Sequence, residues 1–363
     1  GSVAIVFAIL VPALLLIAGG TVDFAQIMLQ RQRLQDAVDA ATLAATRELG
    51  LADSRRENVA SVVETMVKTA VSANGFGSRM PNLTTVISSD PLEIRVDARL
   101  TPTTYFGGGF GLLPSEIQVA SVARIVGRPN VCLLGLDPSA TGTISLEKEA
   151  LVTAQNCAVF SNSTANNGLK SKNSSTLSAS LICTAGGKDG GKGNFSPEPL
   201  TDCPTFDDPL ASRPEPAIAA CDPSLPKIVD GSVELRPGTY CGGLRIKPFA
   251  SVTLQPGIYV IKDGELLVDD DAKLAGKGVG FFLVGDKTTI TFKRRSSIDL
   301  AASAQGPLAG MLMFEARIQS KTGRHQILSD DARNLLGTIY LSRGELYIDA
   351  NKPIADRSAY TAI

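Results

Sequence analysis

From about residue 130 onward the chain repeats a pattern of three short strand-like runs, and this repeat restricts the possible folds more than any other feature. Runs at the same place in successive repeats begin roughly 22 residues apart, each run is rich in aliphatic or β-branched side chains, and turn residues separate the runs. The three clearest repeats comprise residues 244–246, 251–254 and 259–261; 266–268, 273–274 and 281–283; and 289–292, 297–300 and 311–314. Three short strands in such a repeat predict one coil of a parallel β-helix, in which each coil buries the inward face of its neighbour.

The β-helix is predicted to begin near residue 129 and to continue to residue 363. Segments at Ile144, 151–154, 157–160 and 177–183 fit the repeat more loosely, and residues near 186–226, rich in Gly, Pro, Asp and Lys, predict a long loop. A twisted β-sandwich is the alternative, but its strands would more often be joined by hairpin signals such as Asn-Gly or Asp-Gly. We therefore predict a mainly β fold with a right-handed parallel β-helix.

The N-terminal residues 3–22 contain no charged side chain. A helix of that length matches the hydrocarbon core of a bilayer, and Pro12 is tolerable within it. A cleaved signal peptide is the alternative, but the run is longer than a typical signal core and continues directly into an amphipathic pattern. We predict a transmembrane helix over residues 1–25 that extends as one long helix to near Leu49.

Residues 26–128 are predicted to form an amphipathic helix and a small pilin-like α+β module. The pattern predicts a second helix over about residues 55–75 and strands near 84–87, 92–100 and 117–126, with a turn at 107–109. On the first helix, one apolar face is the candidate surface for helix–helix contact; it consists of Leu34, Ala37, Val38, Ala41 and Ala45.

Composition excludes several classes of function. The net charge of −1 gives no general attraction for nucleic acid. His325 is the only histidine, which excludes a His-rich metal site and leaves little room for a His-based catalytic dyad. We expect no cofactor and no bound metal.

Six cysteines lie in the middle third of the chain, and no two have the spacing of a zinc or redox motif. They are Cys132, Cys157, Cys183, Cys203, Cys221 and Cys241. Well-separated cysteines in even number favour disulfides in an oxidising compartment, although six reduced thiols are an alternative. About fifteen pairings are possible, and pairing of neighbours along the chain is the simplest. Cys203 and Cys221 would then tie down the long loop.

Motif-like residues offer little sign of chemistry. Asp137, Ser139 and Thr141 have the spacing of a magnesium-binding D-x-S-x-S, but no helix follows, so a turn between coils is the better interpretation. Residues 186–192 match G-x-x-x-x-G-K, but Gly193 stands where Ser or Thr should bind magnesium. Neither pattern is interpreted as a site.

Two charged clusters occupy corners between coils. Asp269, Asp270 and Asp271 could serve as paired carboxylates or calcium ligands, but solvated Asp is common at such corners. The basic run 293–295 lies at the corresponding corner one coil later, where it could face the acidic cluster, and it is interpreted as a solvated edge. His325 lies in a segment that is predicted to be a polar turn, with no evident partner.

The N-terminal residues resemble those of TadE/TadG-like proteins of the Flp (tight adherence) pilus-assembly system. The resemblance rests on residues 1–8, on Val22-Asp23-Phe24 and on residues 33–41. Pilin-like members carry a Glu five residues beyond the cleavage glycine, where this chain has Val6, so the pattern favours a TadG-like member over a pilin subunit. Many TadG-like proteins also carry a β-helix region.

This resemblance implies a non-catalytic component of pilus assembly. The protein would be anchored in the bacterial inner membrane by a single pass through Val3 to Val22, with TadE-like membrane proteins as partners. Arg31 and Arg33 just after the span mildly favour a cytoplasmic location for the rest of the chain. The cysteines outweigh them, so we expect most of the chain in the periplasm or at the cell surface.

Two other functions are compatible with an anchored β-helix. A carbohydrate-active enzyme would need a cleft with carboxylates converging around Asp269 to Asp271. A polysaccharide-binding adhesin would need an exposed row of aromatic side chains, for which Tyr240 and Tyr259 are the candidates.

Overall fold

The computed structural model describes residues 2–49, 56–73, 76, 79–89, 92–106, 114–124, 130–318 and 323–363. Within these ranges, only the backbone is described at residues 2–6, 9, 12, 13, 56, 57, 89 and 92. The chain divides into two compact units, one made of residues 1–47 and 62–126 and the other of residues 48–61 and 127–363. The predicted domain limits after residues 25 and 128 stay predictions.

The first unit combines helices with a three-stranded antiparallel sheet. Helix α1 spans Ser2–Leu49 and helix α2 spans Arg56–Ala73, while strands β1 (Asn82–Ser89), β2 (Leu92–Leu100) and β3 (Ile117–Arg124) pair in the order β1-β2-β3. Along β2 the apolar residues Ile94, Val96 and Ala98 are buried and alternate with polar residues, as expected for a sheet with one covered face. The predicted long helix, second helix and small sheet are confirmed; the turn at 107–109 and the end of the second helix at 74–75 lie outside the described residues.

The second unit contains a parallel β-solenoid of about ten turns, which confirms the predicted β-helix. Residues 130–200 form a first stack of coils with strands β4 (Val131–Gly135), β5 (Ile144–Leu146), β6 (Leu151–Ser161), β7 (Leu169–Ser171), β8 (Thr176–Thr184), β9 (Lys188–Asp189) and β10 (Phe195–Ser196). They pair in parallel as β10-β8-β6-β4 and β5-β7-β9.

Residues 228–363 form a second stack. Its strands are β11 (Ile228–Val229), β12 (Ser232–Leu235), β13 (Gly238–Cys241), β14 (Leu244–Ile246), β15 (Ser251–Leu254), β16 (Gly257–Lys262), β17 (Leu266–Val268), β18 (Lys273–Val284), β19 (Ile290–Phe292), β20 (Ser297–Ala302), β21 (Met311–Glu315), β22 (Arg324–Ile327), β23 (Asp331–Tyr340), β24 (Glu345–Ile348) and β25 (Thr361–Ala362). They form the sheets β11-β14-β17-β19-β22-β24 and β12-β15-β18-β20-β23-β21, and β13, β16 and β25 add to the second of these. Every strand pairing among them is parallel. A sandwich built from hairpins is therefore wrong for this region.

The corners between coils repeat the same turn. The amides of Ala250, Ala272 and Ser296 donate hydrogen bonds of 3.0 to 3.2 Å to the carbonyls three residues earlier. Each of these small residues is buried, since the inside of a tight corner leaves room for little more than a methyl or hydroxymethyl group. Phe249 and Asp271 occupy the preceding position with positive φ, at 65° and 62°. The aspartate cluster thus lies at a corner, as predicted.

The two stacks meet end to end, but not in the order of the chain. The amide of Ile363 donates to the carbonyl of Cys132, and the amide of Leu134 donates to the carbonyl of Ile363, both at 2.8 Å. The end of the second stack therefore pairs with β4, the first strand of the first stack. We call this contact the joint. The first stack grows away from the joint toward β10, and the second stack begins at its own far end with β11.

Residues 201–227, here called the strap, connect the far ends of the two stacks and lie along their side. Leu210 packs with Val260, Phe282, Phe314 and Tyr340, which point outward from the sheet. The neighbouring residues Tyr259 and Phe281 point inward to the solenoid core. These strands are covered on both faces, which explains why they are almost continuously apolar instead of alternating.

Candidate functional site at the apolar end of helix α1

The N-terminal half of α1 exposes a continuous apolar surface. Its side chains are between 40% and 67% exposed, although a residue of this type is normally buried; they are Phe7, Leu10, Val11, Leu14, Leu15, Leu16, Ile17, Val22, Phe24, Met28 and Leu29. Contiguous apolar surface of this kind marks a site that contacts lipid or another protein. The described part of the chain leaves these side chains uncovered.

Asp23 fixes the point at which α1 meets the rest of its unit. Its side chain is fully buried, and its two carboxylate oxygens accept hydrogen bonds from the amides of Tyr105 and Phe106, at 2.7 and 2.8 Å. A buried carboxylate is costly unless its oxygens are hydrogen-bonded. Asp23 therefore ties α1 to the segment that follows β2.

A second polar contact lies two helical turns further along. The amide of Thr103 donates to Gln30 Oε1 at 3.0 Å, and Gln30 Nε2 donates to the carbonyl of Thr103 at 3.3 Å. One turn before Asp23, a Cβ at Gly19 would lie only 2.9 Å from Cβ of Phe106, so the segment packs closely on the helix there. Asp23, Gln30 and Gly19 together form what we call the α1 clamp.

Sequence reasoning missed the α1 clamp. The available signal was Asp23 itself, the first acidic residue of the chain, which directly follows an uncharged run. A carboxylate beside apolar residues needs a partner within the protein, and its partners are backbone amides of a segment with no recognisable motif.

No helix within the described ranges is both long enough and apolar enough to cross a membrane.

The predicted helix-contact face is buried inside the folded chain. Leu34, Val38 and Ala45 are completely covered, and Ala37 and Ala41 are nearly so. On α2, Val62, Val63, Val67 and Val71 are buried as well. That this face contacts a helix of another protein stays a prediction. Within the described residues, the N-terminal apolar surface of α1 is exposed instead.

All six cysteines form disulfides, in the order of neighbours along the chain. Cys132–Cys157, Cys183–Cys203 and Cys221–Cys241 have Cα–Cα distances of 5.7, 6.1 and 5.7 Å. The first lies within the first stack. The other two hold the two ends of the strap, as expected for the long loop.

The acidic cluster at the corner is neutralised by arginines from neighbouring coils. Arg245 Nε donates to Asp269 at 2.7 Å, and Arg295 binds Asp271 through both Nε and Nη2, at 2.8 to 3.2 Å. The hydrogen bonds from Arg295 hold the pKa of Asp271 below its usual value. Arg295 of the basic run thus faces the acidic cluster, whereas Arg294 lies 3.8 Å from Asp330 and 3.5 Å from Asp349, away from that cluster. Among the described residues, no group of three or more His, Cys, Asp or Glu side chains is arranged to hold a metal ion.

The prediction that His325 lies in a polar turn with no partner is wrong. His325 lies in strand β22, is buried, and pairs with Leu346 at a position where neighbouring coils carry aliphatic side chains. Its Nδ1 accepts a hydrogen bond from the amide of Ile290 at 3.2 Å, so the proton of the neutral ring is on Nε2. That atom lies 3.5 Å from Oε1 of Glu315, a fully buried carboxylate. The prediction failed because Arg324 and Gln326, the outward side chains of β22, make the local sequence polar although the strand itself is part of the solenoid.

The weaker sequence patterns form local structure. Asp137 Oδ1 accepts hydrogen bonds from the amides of Ser139 and Ala140, at 2.8 and 2.7 Å, which close a turn between coils. Residues 186–192 contribute β9 and its flanking turns. Tyr240 and Tyr259 are buried and stack on one another with ring centroids 5.9 Å apart, so they form no exposed aromatic row.

Comparison with known families yields a match that covers α1. Residues 1–48 match the family described as "Tad: Putative Flp pilus-assembly TadE/G-like". The N-terminal segment is therefore similar to this family. Since the match ends at Glu48, it includes Asp23 and Gln30 of the α1 clamp and all of the exposed apolar surface. No curated protein matches the chain, and no solved structure matches it.

Proposed function

We propose that this protein is a non-catalytic, membrane-anchored component of Flp pilus assembly. The observation that carries the proposal is the exposed apolar surface of α1, which lies within the TadE/G-like residues. Large apolar side chains that are exposed side by side, as on this surface, mark a site that lipid or a partner protein covers. Family membership of the segment supports a place in the cell envelope.

The anchor in this proposal is residues 3–22. They carry no charge, and twenty residues in a helix extend about 30 Å, the thickness of the hydrocarbon core. The contact at Asp23 supports this limit, because Asp23 and the amides that it binds form a polar contact suited to the membrane boundary and not to the hydrocarbon.

The exposed residues beyond Asp23 would contact partner proteins. Phe24 and Met28 lie one turn apart on the same face of α1. Both of them and Leu29 are exposed and follow residues 3–22, so lipid tails do not cover them in this proposal. TadE-like membrane proteins, each with an apolar helix of its own, are the proposed partners. The solenoid would be the scaffold that projects from the membrane, and its three disulfides favour the periplasm over the cytoplasm.

That the protein is non-catalytic is inferred from the ion pairs and hydrogen bonds that the charged side chains of the solenoid make. Asp269 and Asp271 are paired with arginines, and Glu315 accepts hydrogen bonds from the amides of Arg343 and Gly344. Groups held in this way stabilise coils and corners. They support a scaffold more than a reactive cleft.

A deletion strain tests the role in assembly. The strain would be complemented with the full chain or with a chain lacking residues 130–363, and surface pili would be counted by electron microscopy. We expect pili only with the full chain, while immunoblots show equal amounts of both proteins in the membrane fraction. Normal piliation with the truncated chain would remove the solenoid from the assembly role.

Charged substitutions test the anchor. Leu14→Asp combined with Leu16→Asp places two carboxylates in the proposed span, and we expect the variant to leave carbonate-washed membranes. The matched control is Leu43→Asp, which alters an equally exposed leucine of the same helix beyond the span. Equal retention of both variants in the membrane would contradict anchoring by residues 3–22.

A further inference from the structure

Strand β1 lies at an edge of the sheet in the first unit. Among the strands that the structure describes, β2 is paired on both sides and β1 on one side only. All of β1 pairs with β2 in one uninterrupted antiparallel ladder, from Asn82 opposite Arg99 to Ser89 opposite Leu92. In such a ladder every second residue directs its peptide N–H and C=O groups away from the partner strand. β1 therefore presents a row of backbone donors and acceptors that suits a further strand.

The side chains of β1 do not block this row. Proteins commonly protect an edge strand with charged side chains, Pro or a bulge. β1 has the sequence Asn-Leu-Thr-Thr-Val-Ile-Ser-Ser, which contains no charge and no Pro, and its register with β2 has no bulge. Thr84 is exposed and Val86 is 54% exposed, so one face of the strand is open. β1 is thus an unprotected edge.

The opposite edge of the sheet, β3, is different. The carbonyl of Ala120, in the middle of β3, accepts a hydrogen bond of 3.0 Å from Nε2 of Gln35 on α1. β3 also ends in a charged residue, Arg124. An incoming strand would meet the side chain of Gln35 and a charge at β3, but no charged side chain at β1. Of the two edges, β1 is therefore the better one for pairing.

β1 is complementary to a second copy of itself. Two copies related by a two-fold axis run antiparallel, and a register that places one residue opposite its own copy matches both the side-chain faces and the directions of the peptide groups. With Thr85 opposite its own copy, Leu83 lies opposite Ile87. Thr84 then lies opposite Val86. Apolar and β-branched pairs of this kind stabilise a sheet, and no like charges meet.

We propose that the protein forms a symmetric homodimer in which β1 of each copy pairs with β1 of the other. The two sheets become one antiparallel sheet with the order β3-β2-β1-β1-β2-β3. The buried residues of β2, which are Ile94, Val96 and Ala98, lie on the same face of this sheet in both copies. Neither the exposed apolar surface of α1 nor the α1 clamp takes part, so the proposal stands independently of membrane anchoring.

Paired lysines in the full-length protein test the interface. Thr84→Lys combined with Val86→Lys places two lysines on the open face of β1. In the dimer, each lysine would lie directly opposite a lysine of the other copy, which destabilises a strand pair. The variant should therefore lose the dimer and keep its fold.

The matched control carries the same lysines on β3, as Ala120→Lys combined with Val122→Lys. Asp97 of β2 lies opposite Ala120 on one side and opposite the first β1 position on the other, and Arg95 is shared in the same way by Val122 and the second β1 position. All four substituted side chains are exposed. The two variants therefore place lysines beside the same residues of β2 and differ in which edge they occupy.

Sedimentation equilibrium in detergent measures the oligomeric state over a dilution series, and far-UV circular dichroism verifies the fold. We expect the native protein and the β3 control to be dimers, with the dissociation constant of the β1 variant raised at least about tenfold. A native protein that is monomeric throughout, or a dimer that both variants weaken equally, overturns the proposal.

A cysteine at the centre of the interface gives a second readout that needs no disruptive substitution. In the dimer the two copies of residue 85 have Cα atoms about 5 Å apart, so Thr85→Cys should form a disulfide-linked dimer on mild oxidation. The copies of residue 84 are diagonal neighbours more than about 7 Å apart, so Thr84→Cys should stay uncrosslinked. No crosslink at residue 85, or an equal crosslink at residue 84, overturns the proposal even if the lysine variants unfold.

Discussion

The hydroxyl of Tyr340 donates a hydrogen bond of 2.7 Å to the carboxylate of Asp208, joining the last long strand of the second stack to the strap. Burial, reinforced by this carboxylate, raises the pKa of Tyr340 to about 12. The ring also stacks on Phe314 at 5.2 Å. Tyr340 therefore contacts both Phe314 of the sheet and Asp208 of the strap that covers it.

Tyr340→Phe removes this hydrogen bond and keeps the ring. We expect the free energy of unfolding to fall by about 1.5 to 3 kcal/mol, the usual value for a hydrogen bond to a charged group. Urea denaturation measures it, and Tyr105→Phe, at an exposed position, is the control with no expected change. An equal effect of the two substitutions would mean that the bond to Asp208 contributes nothing.

Asp23→Ala leaves the amides of Tyr105 and Phe106 without acceptors. Because both bonds involve a buried carboxylate, we expect a loss of about 3 kcal/mol in the stability of the first unit, with faster hydrogen exchange at these two amides. Asp36→Ala, at an exposed position on the same helix, should change stability by less than about 0.5 kcal/mol. Unchanged exchange at Tyr105 in the Asp23 variant would contradict the clamp.

Glu315→Ala should be more harmful than His325→Leu. The first leaves the amides of Arg343 and Gly344 unpaired, each of which now donates at 2.8 Å to the carboxylate, and we expect a loss of about 3 kcal/mol. The second inserts an aliphatic side chain next to Leu346 and leaves only the Ile290 amide without its acceptor, with a loss of about 1 kcal/mol.

Glu315→Gln provides the control for this pair, because it keeps an acceptor oxygen and removes the charge. Its effect should lie between the other two in chemical denaturation. If His325→Leu proved as costly as Glu315→Ala, the contact between the imidazole and the carboxylate would matter more than the bonds to the two amides.

The sequence predicted the architecture of the solenoid because its periodicity is a direct consequence of coil geometry. Inward residues such as Leu244 and Leu266 recur in register, and the structure pairs them as neighbours. The joint could not be predicted in this way. Periodicity describes how one coil follows another along the chain, whereas Ile363 and Cys132 meet because the strap returns to the far end.

The candidate site was only partly predictable for the same reason. The apolar run of α1 can be read from residue types alone, and so can the long loop between Cys203 and Cys221. The α1 clamp depends on which backbone amides approach Asp23 in space, and the predicted polar turn at His325 depended on local composition. Tertiary contacts decide both.

Acid should destabilise the protein below about pH 4. Hydrogen bonds from Arg295 lower the pKa of Asp271, and hydrogen bonds from the backbone of Ser139 and Ala140 lower that of Asp137. Each folded pKa lies below the unfolded value of about 3.9. The stabilisation is therefore present above that pH and is lost as the pH falls through the folded pKa.

Urea midpoints measured between pH 2 and pH 7 test this prediction. The midpoint should be nearly constant above pH 5 and fall steeply below pH 4, and the fall should be smaller in the double variant Asp137→Asn with Asp271→Asn. A midpoint that rises on acidification would contradict the assigned direction of the pKa shifts. In cells, the same double variant should assemble pili normally, because the proposed function assigns no chemistry to either carboxylate.

Thiol labelling of spheroplasts, before and after detergent is added, tests the membrane arrangement most directly. The six native cysteines are all in disulfides, so Leu14→Cys and Leu43→Cys each introduce a single free thiol. In spheroplasts treated with a membrane-impermeant maleimide, we predict rapid labelling of residue 43 and no labelling of residue 14 until detergent is added. Labelling of residue 14 as fast as residue 43 would contradict the anchor, and labelling of residue 43 only after lysis would contradict a periplasmic solenoid.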